Sequence, residues 1–143
     1  MQLVVDASVA LKWFFQGRAD EQGAESSLRI LDALDAGQIG MVQPPHFVAE
    51  MAAVLIREKG DAAYQDLEDL QALDWLCSDN ASCYEDAMAI SSQLQHHLFD
   101  TLYHALALRL EDGLLVTADQ RYYSKASQLG SIRMIEELAV LSR

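Results

Sequence analysis

Basic residues are scarce in this chain. Ten Lys and Arg stand against 22 Asp and Glu, giving a net charge of −12. Phosphate backbones are bound mainly by cations, so this balance argues against a nucleic-acid binder unless the carboxylates are unevenly placed. Cysteine is scarcer still. Cys77 and Cys83 lack a metal-binding spacing, and a reduced cytoplasmic protein is the expectation. No run approaches the roughly 20 apolar residues that span a bilayer. The start, Met1-Gln2-Leu3-Val4-Val5, has no basic segment of a signal peptide, so no membrane association is expected. A glycine-rich phosphate loop, internal repeats and low-complexity linkers are also missing.

What is present is ordinary globular composition: 143 residues, 51% hydrophobic and 22% charged. That suits one domain over residues 1–143. Leu3-Val4-Val5, Met41-Val42, Leu114-Leu115-Val116-Thr117 and Ile132-Arg133-Met134 are short apolar runs that read as strands. Helical periods lie between them: from Ser8, around 28–36 up to Gly37, from His46 to Lys59, near 84–96, over 99–111 up to Gly113, and from Gln120 to Leu129. Residues 61–86 read as a further helix and a connection around Trp75-Leu76-Cys77. Strands alternating with helices predict a three-layer α/β/α sandwich with a mainly parallel central sheet. In such sheets the site lies beyond the C-terminal strand ends.

Four carboxylates stand where chemistry is expected. Asp6 follows the first strand run directly and Asp119 follows Leu114–Thr117. In a parallel sheet both reach the same edge, although Asp also suits a helix N-cap or turn. Glu50 interrupts the helical stripe Phe47, Met51, Val54, Leu55. A carboxylate there either reaches solvent at the stripe's edge or is partnered. Asp100 stands between Phe99 and the run Leu102, Tyr103, Leu106, Leu110, where a first-turn acid also favours the helix dipole. Together the four suggest a cluster, and divalent cations compensate clustered carboxylates through oxygen ligands.

The segments Val5-Asp6-Ala7-Ser8 with Lys12-Trp13, Pro44 followed by Glu50, Phe99-Asp100-Thr101-Leu102-Tyr103-His104-Ala105-Leu106-Ala107, and Val116-Thr117-Ala118-Asp119 resemble a PIN domain. More narrowly, they resemble a VapC-type toxin of a type II toxin–antitoxin pair. The resemblance runs in order along nearly the whole chain. It implies a PIN-like fold and a metal-dependent endoribonuclease, with Asp6, Glu50, Asp100 and Asp119 as catalytic and metal-binding acids for Mg²⁺ or Mn²⁺. It further implies RNA as substrate, products with a 5′-phosphate and a 3′-hydroxyl, a small antitoxin partner and a homodimer. Thr117 and Ser8 fall on polar positions beside the acids and are expected to fix the carboxylates. Lys12, Arg18 and Arg121 are candidates for phosphate contacts, with solvated surface charge as the competing reading. Relatives often carry Asn three residues after the glutamate, where this chain has Ala53. The loop from Gln16 to Asp20 lacks the Pro-Glu pattern common there.

Other readings remain open at this stage: a PIN nuclease with a housekeeping RNA-processing role, or a non-catalytic binding module on the same fold. A phosphoacceptor receiver domain also bears acids at strand ends, but it needs an acidic pair near the first strand, and Asp6 stands alone between Leu3 and Leu11. No zinc motif is legible among His46, His96, His97 and His104. Trp13 and Phe14 are expected to pack in the core or at an interface. The charge is indeed uneven. Eight of the 22 acids lie in residues 61–86, which hold no Lys or Arg, and four are the candidates. The remaining ten match the ten bases, so an acidic lobe at 61–86 is expected to lie away from RNA.

Overall fold

Leu3, Val4 and Val5 are all fully buried, which requires a strand covered on both faces. That strand is β1, Gln2–Val5, at the centre of the sheet. The computed structural model describes residues 1–17 and 23–138. Its other strands are β2 Gly40–Gln43, β3 Leu76–Cys77, β4 Gly113–Thr117 and β5 Ile132–Met134. They run in the order β3-β2-β1-β4-β5, and every neighbouring pair is parallel. The predicted α/β/α sandwich is therefore the observed architecture.

The helices are α1 Ala7–Ala10, α2 Ala24–Asp35, α3 Phe47–Lys59, α4 Ala63–Ala72, α5 Ala81–Leu94, α6 Leu98–Arg109 and α7 Gln120–Ala126. Helix α6 is buried almost throughout, from Thr101 to Ala107. It packs on β1 and β4, and α5 lies against it. Its apolar run is that of an inner helix, which needs no polar face. Gly113 ends the turn out of α6. A Cβ there would come within 2.3 Å of the Ala107 carbonyl oxygen, so only glycine lets β4 begin so close to the helix.

One expectation needs correcting. The stretch around Leu76-Cys77, read as a connection, is a two-residue edge strand beside β2. Both of its side chains are exposed, so it shows no buried apolar pattern by which a strand is recognised.

The order of the strands positions the site. From β1 the chain steps outward to β2 and β3, then returns to build β4 and β5 on the other side. The reversal falls between β1 and β4, and the strand ends there frame a crevice. Their register pairs Val5 with Val116, which brings Asp6 alongside Thr117.

Candidate active site

Asp6 leaves β1 at that crevice. It precedes α1, yet its side chain caps nothing. Its Oδ2 instead accepts hydrogen bonds from the Ser8 hydroxyl and, at 3.2 Å, from the Thr117 hydroxyl. Thr117 Oγ1 in turn accepts from the Asp119 amide at 3.0 Å, and Ser8 Oγ accepts from the Ala118 amide at 3.1 Å. Two hydroxyls thus tie the end of β1 to the turn after β4 and fix the Asp6 rotamer. The backbone adds a bond from the Asp6 amide to the Val116 carbonyl at 2.9 Å.

A small cleft opens here, lined by Asp6, Asp100, Leu115, Thr117, Asp119 and Tyr122. Three of the four candidate acids therefore share one cavity. Asp119 is the N-cap of α7, its Oδ1 accepting from the Tyr122 amide at 3.0 Å. Asp100 arrives from the first turn of α6. Burial pushes Asp6 up to about 6. The Ser8 bond works the other way, the charges of Asp100 and Glu50 add to the rise, and the Thr117 bond opposes it.

Glu50 does not line that cleft, but its charge is felt at Asp6. It accepts from the Tyr103 hydroxyl at 2.7 Å and lies 3.0 Å from His46 Nε2. His46 Nε2 is also 2.9 Å from the Phe99 carbonyl oxygen. Both partners are acceptors, so Nε2 carries the proton. Burial disfavours the Glu50 charge. The bonds from His46 and Tyr103, with the charges of His46 and His97, outweigh it and hold the carboxyl below its usual value. Burial, then the Glu50 charge, raises Tyr103, which stays a protonated donor. Glu50 is a partnered carboxylate on the stripe, one-third exposed.

Lys12 is half-buried in a neighbouring hollow with Ser8 and Ala118. Arg121 is exposed on α7. Arg18, with the loop up to residue 22, lies outside the described residues. Trp13 is buried and donates from Nε1 to the Ser27 carbonyl at 2.9 Å, while Phe14 is half-buried. Sequence reasoning missed Tyr103 and His46 as partners of Glu50. The buried Gln43 was missed too: its side chain bonds both the amide and the carbonyl of Val5, at 2.7 Å each. A glutamine between an apolar strand run and a proline was the only available sign.

The fold and cleft define a class: a parallel α/β sheet whose switch point gathers carboxylates at the ends of its central strands. The chain belongs to the PIN domain family, whose model matches residues 3–128. Among solved structures it is similar to a chain in the crystal structure of VapBC2 from Rickettsia felis bound to a DNA fragment from their promoter. The TM-score is 0.69 at 15% identity, covering 94% of this chain and 98% of that one. At that identity the likeness speaks for the fold. No curated protein matches the chain in sequence.

Proposed function

We propose that this chain is a divalent-metal-dependent endoribonuclease and the toxin of a type II toxin–antitoxin pair, residues 1–143 forming one PIN domain. The observation that carries the reading is the buried Asp6 carboxylate, pushed up to about 6 in a cleft it shares with Asp100 and Asp119. A crowded, all-oxygen donor set of this kind fits a hard divalent cation such as Mg²⁺ or Mn²⁺. When bound, such an ion supplies charge neutralisation at the phosphate and an activated water.

In this reading Asp6, Asp100 and Asp119 are the ligands. Ser8 and Thr117 hold Asp6 in one rotamer, which keeps the ligand set organised. Glu50, kept ionised by Tyr103 and His46, orients the attacking water or holds a second ion. Lys12 and Arg121 are the candidates for phosphate contacts. The similarity to a VapBC2 chain supports an antitoxin partner, whose basic side chains would suit the acidic cleft. A homodimer is the expected assembly, and no helix among the described residues is long and apolar enough to cross a membrane.

The test is expression of the chain alone, beside Asp6→Asn, with RNA cleavage assayed at controlled Mg²⁺. The reading expects growth arrest and metal-dependent cleavage from the wild type only. Full activity of Asp6→Asn would sink it. Cleavage without growth arrest would point to RNA processing instead.

A further inference from the structure

The structure gathers two histidines and an acid at the start of α6. His96 and His97 precede α6, and Asp100 lies in its first turn. His96 Nε2 is 2.7 Å and His97 Nε2 is 3.1 Å from the same oxygen, Oδ2 of Asp100. The two rings stack with centroids 4.8 Å apart and planes 27° from parallel, and both Nε2 atoms face the same carboxylate oxygen. One donor atom from each residue falls within 4.8 Å of the others.

From this convergence we propose a second metal site, His96–His97–Asp100, for a zinc-like cation. Zinc binds imidazole nitrogen and carboxylate oxygen at about 2.0–2.2 Å, which at tetrahedral angles separates ligand atoms by roughly 3.3 Å. The two separations from Asp100 Oδ2 need only a small spread to reach that. Two imidazoles and one carboxylate suit Zn²⁺, Ni²⁺ or Cu²⁺, unlike the all-oxygen set beside them. His97 is 65% exposed, which gives the cation a path in and water a place in its shell.

A fourth residue controls the site. Lys125 Nζ lies 3.3 Å from His96 Nδ1 and 3.3 Å from the Gln95 carbonyl oxygen. A lysine ammonium only donates, so Nδ1 of His96 accepts and Nε2 carries the proton given to Asp100. Ligation through Nε2 moves that proton to Nδ1, and Lys125 must let it go. Lys125 therefore favours the metal-free arrangement. Asp100 also faces the acidic cleft, so a cation on the histidines draws its Oδ2 away. Resting on the nuclease reading, this makes zinc an inhibitor of Mg²⁺-supported cleavage.

The test uses Co²⁺ as a spectroscopic probe on the full chain, followed by displacement with Zn²⁺. Wild type is expected to develop the visible bands of low-coordinate Co²⁺ and lose them to Zn²⁺. His97→Ala and His96→Gln weaken binding by about tenfold or more, whereas Lys125→Met tightens it. No bands in the wild type, or bands unchanged in His97→Ala, overturn the site. Weaker binding in Lys125→Met overturns the role given to Lys125. RNA cleavage with Mg²⁺ alone is measured separately. Cleavage by His97→Ala that has lost its zinc sensitivity supports the inhibitory link. A wild type that never cleaves sinks the nuclease reading, while the cobalt spectrum still judges the site.

Discussion

The Gln43 side chain completes the backbone of Val5. Its Oε1 accepts from the Val5 amide and its Nε2 donates to the Val5 carbonyl, each at 2.7 Å. Strand pairing between β1 and β2 is registered only at Gln2–Gly40 and Leu3–Met41. Beyond it, a side chain takes the place of the ladder. The strands can therefore part just where Asp6 begins, without stranding two buried polar groups.

Gln43→Leu removes both bonds at once. Each buried group left unmatched costs about 1–3 kcal/mol, so a loss of about 2–6 kcal/mol is expected in denaturant unfolding. Because Val5 precedes Asp6, cleavage should fall by more than the folded fraction does. A stability change within a few tenths of a kcal/mol would show that Gln43 is incidental.

Asp6→Asn is expected to abolish cleavage and to stabilise the metal-free fold. Burial raises the folded pKa of Asp6 to about 6 from 3.8. For a carboxyl raised in this way, the protonated form is the one the fold prefers. Its favourable contribution is complete below about pH 4 and is lost as pH climbs through 6. Near pH 7.5 in a chelator, the Asn variant should be more stable by about 2–3 kcal/mol, and the gap should close by pH 4. Mg²⁺ should then raise the melting temperature of the wild type far more than that of the variant. Equal responses would argue against Asp6 as a ligand.

His104 runs the other way. It is buried, with Nε2 2.8 Å from the Gly130 carbonyl oxygen and Nδ1 2.9 Å from the Tyr122 hydroxyl. Burial lowers its pKa, and the Gly130 bond only partly opposes this. The unfolded chain therefore takes up a proton first, and stability drops as pH falls below about 6.5. His104→Gln keeps a donor toward Gly130 but cannot titrate. Unfolding between pH 6.5 and 5 should lose part of its slope in that variant; an unchanged slope would clear His104.

The acidic stretch 61–86 divides into two kinds of carboxylate. Asp66 pairs with Lys59 at 2.6 Å, and Lys59 also donates to the Phe14 carbonyl at 2.7 Å. Glu68 and Asp69 are exposed on α4. Asp66→Asn should cost on the order of 1 kcal/mol in stability. Glu68→Gln with Asp69→Asn should leave both stability and RNA binding close to wild type, as read by a filter-binding titration. A strong loss of RNA binding would place α4 on the RNA path.

The strand runs and the grouping of Asp6, Asp100 and Asp119 were legible because each signal is local. Leu3-Val4-Val5 announces a buried strand and Asp6 closes it. Gly37 follows Asp35, the last residue of α2, by two positions, whereas α6 ends at Arg109, four residues before Gly113. What escaped was long-range. Tyr103 meets Glu50 across 53 residues and Gln43 meets Val5 across 38. His96, His97 and Asp100 sit close in sequence, yet their convergence depends on the chain turning into α6, which composition does not reveal. β3 escaped because its two side chains face outward.

The Thr117–Asp6 bond joins residues 111 positions apart. A growing chain makes Asp6 first, then Glu50 and Asp100, and has no cleft until β4 slots in beside β1. Strand order here makes the assembly of the cleft wait for β4.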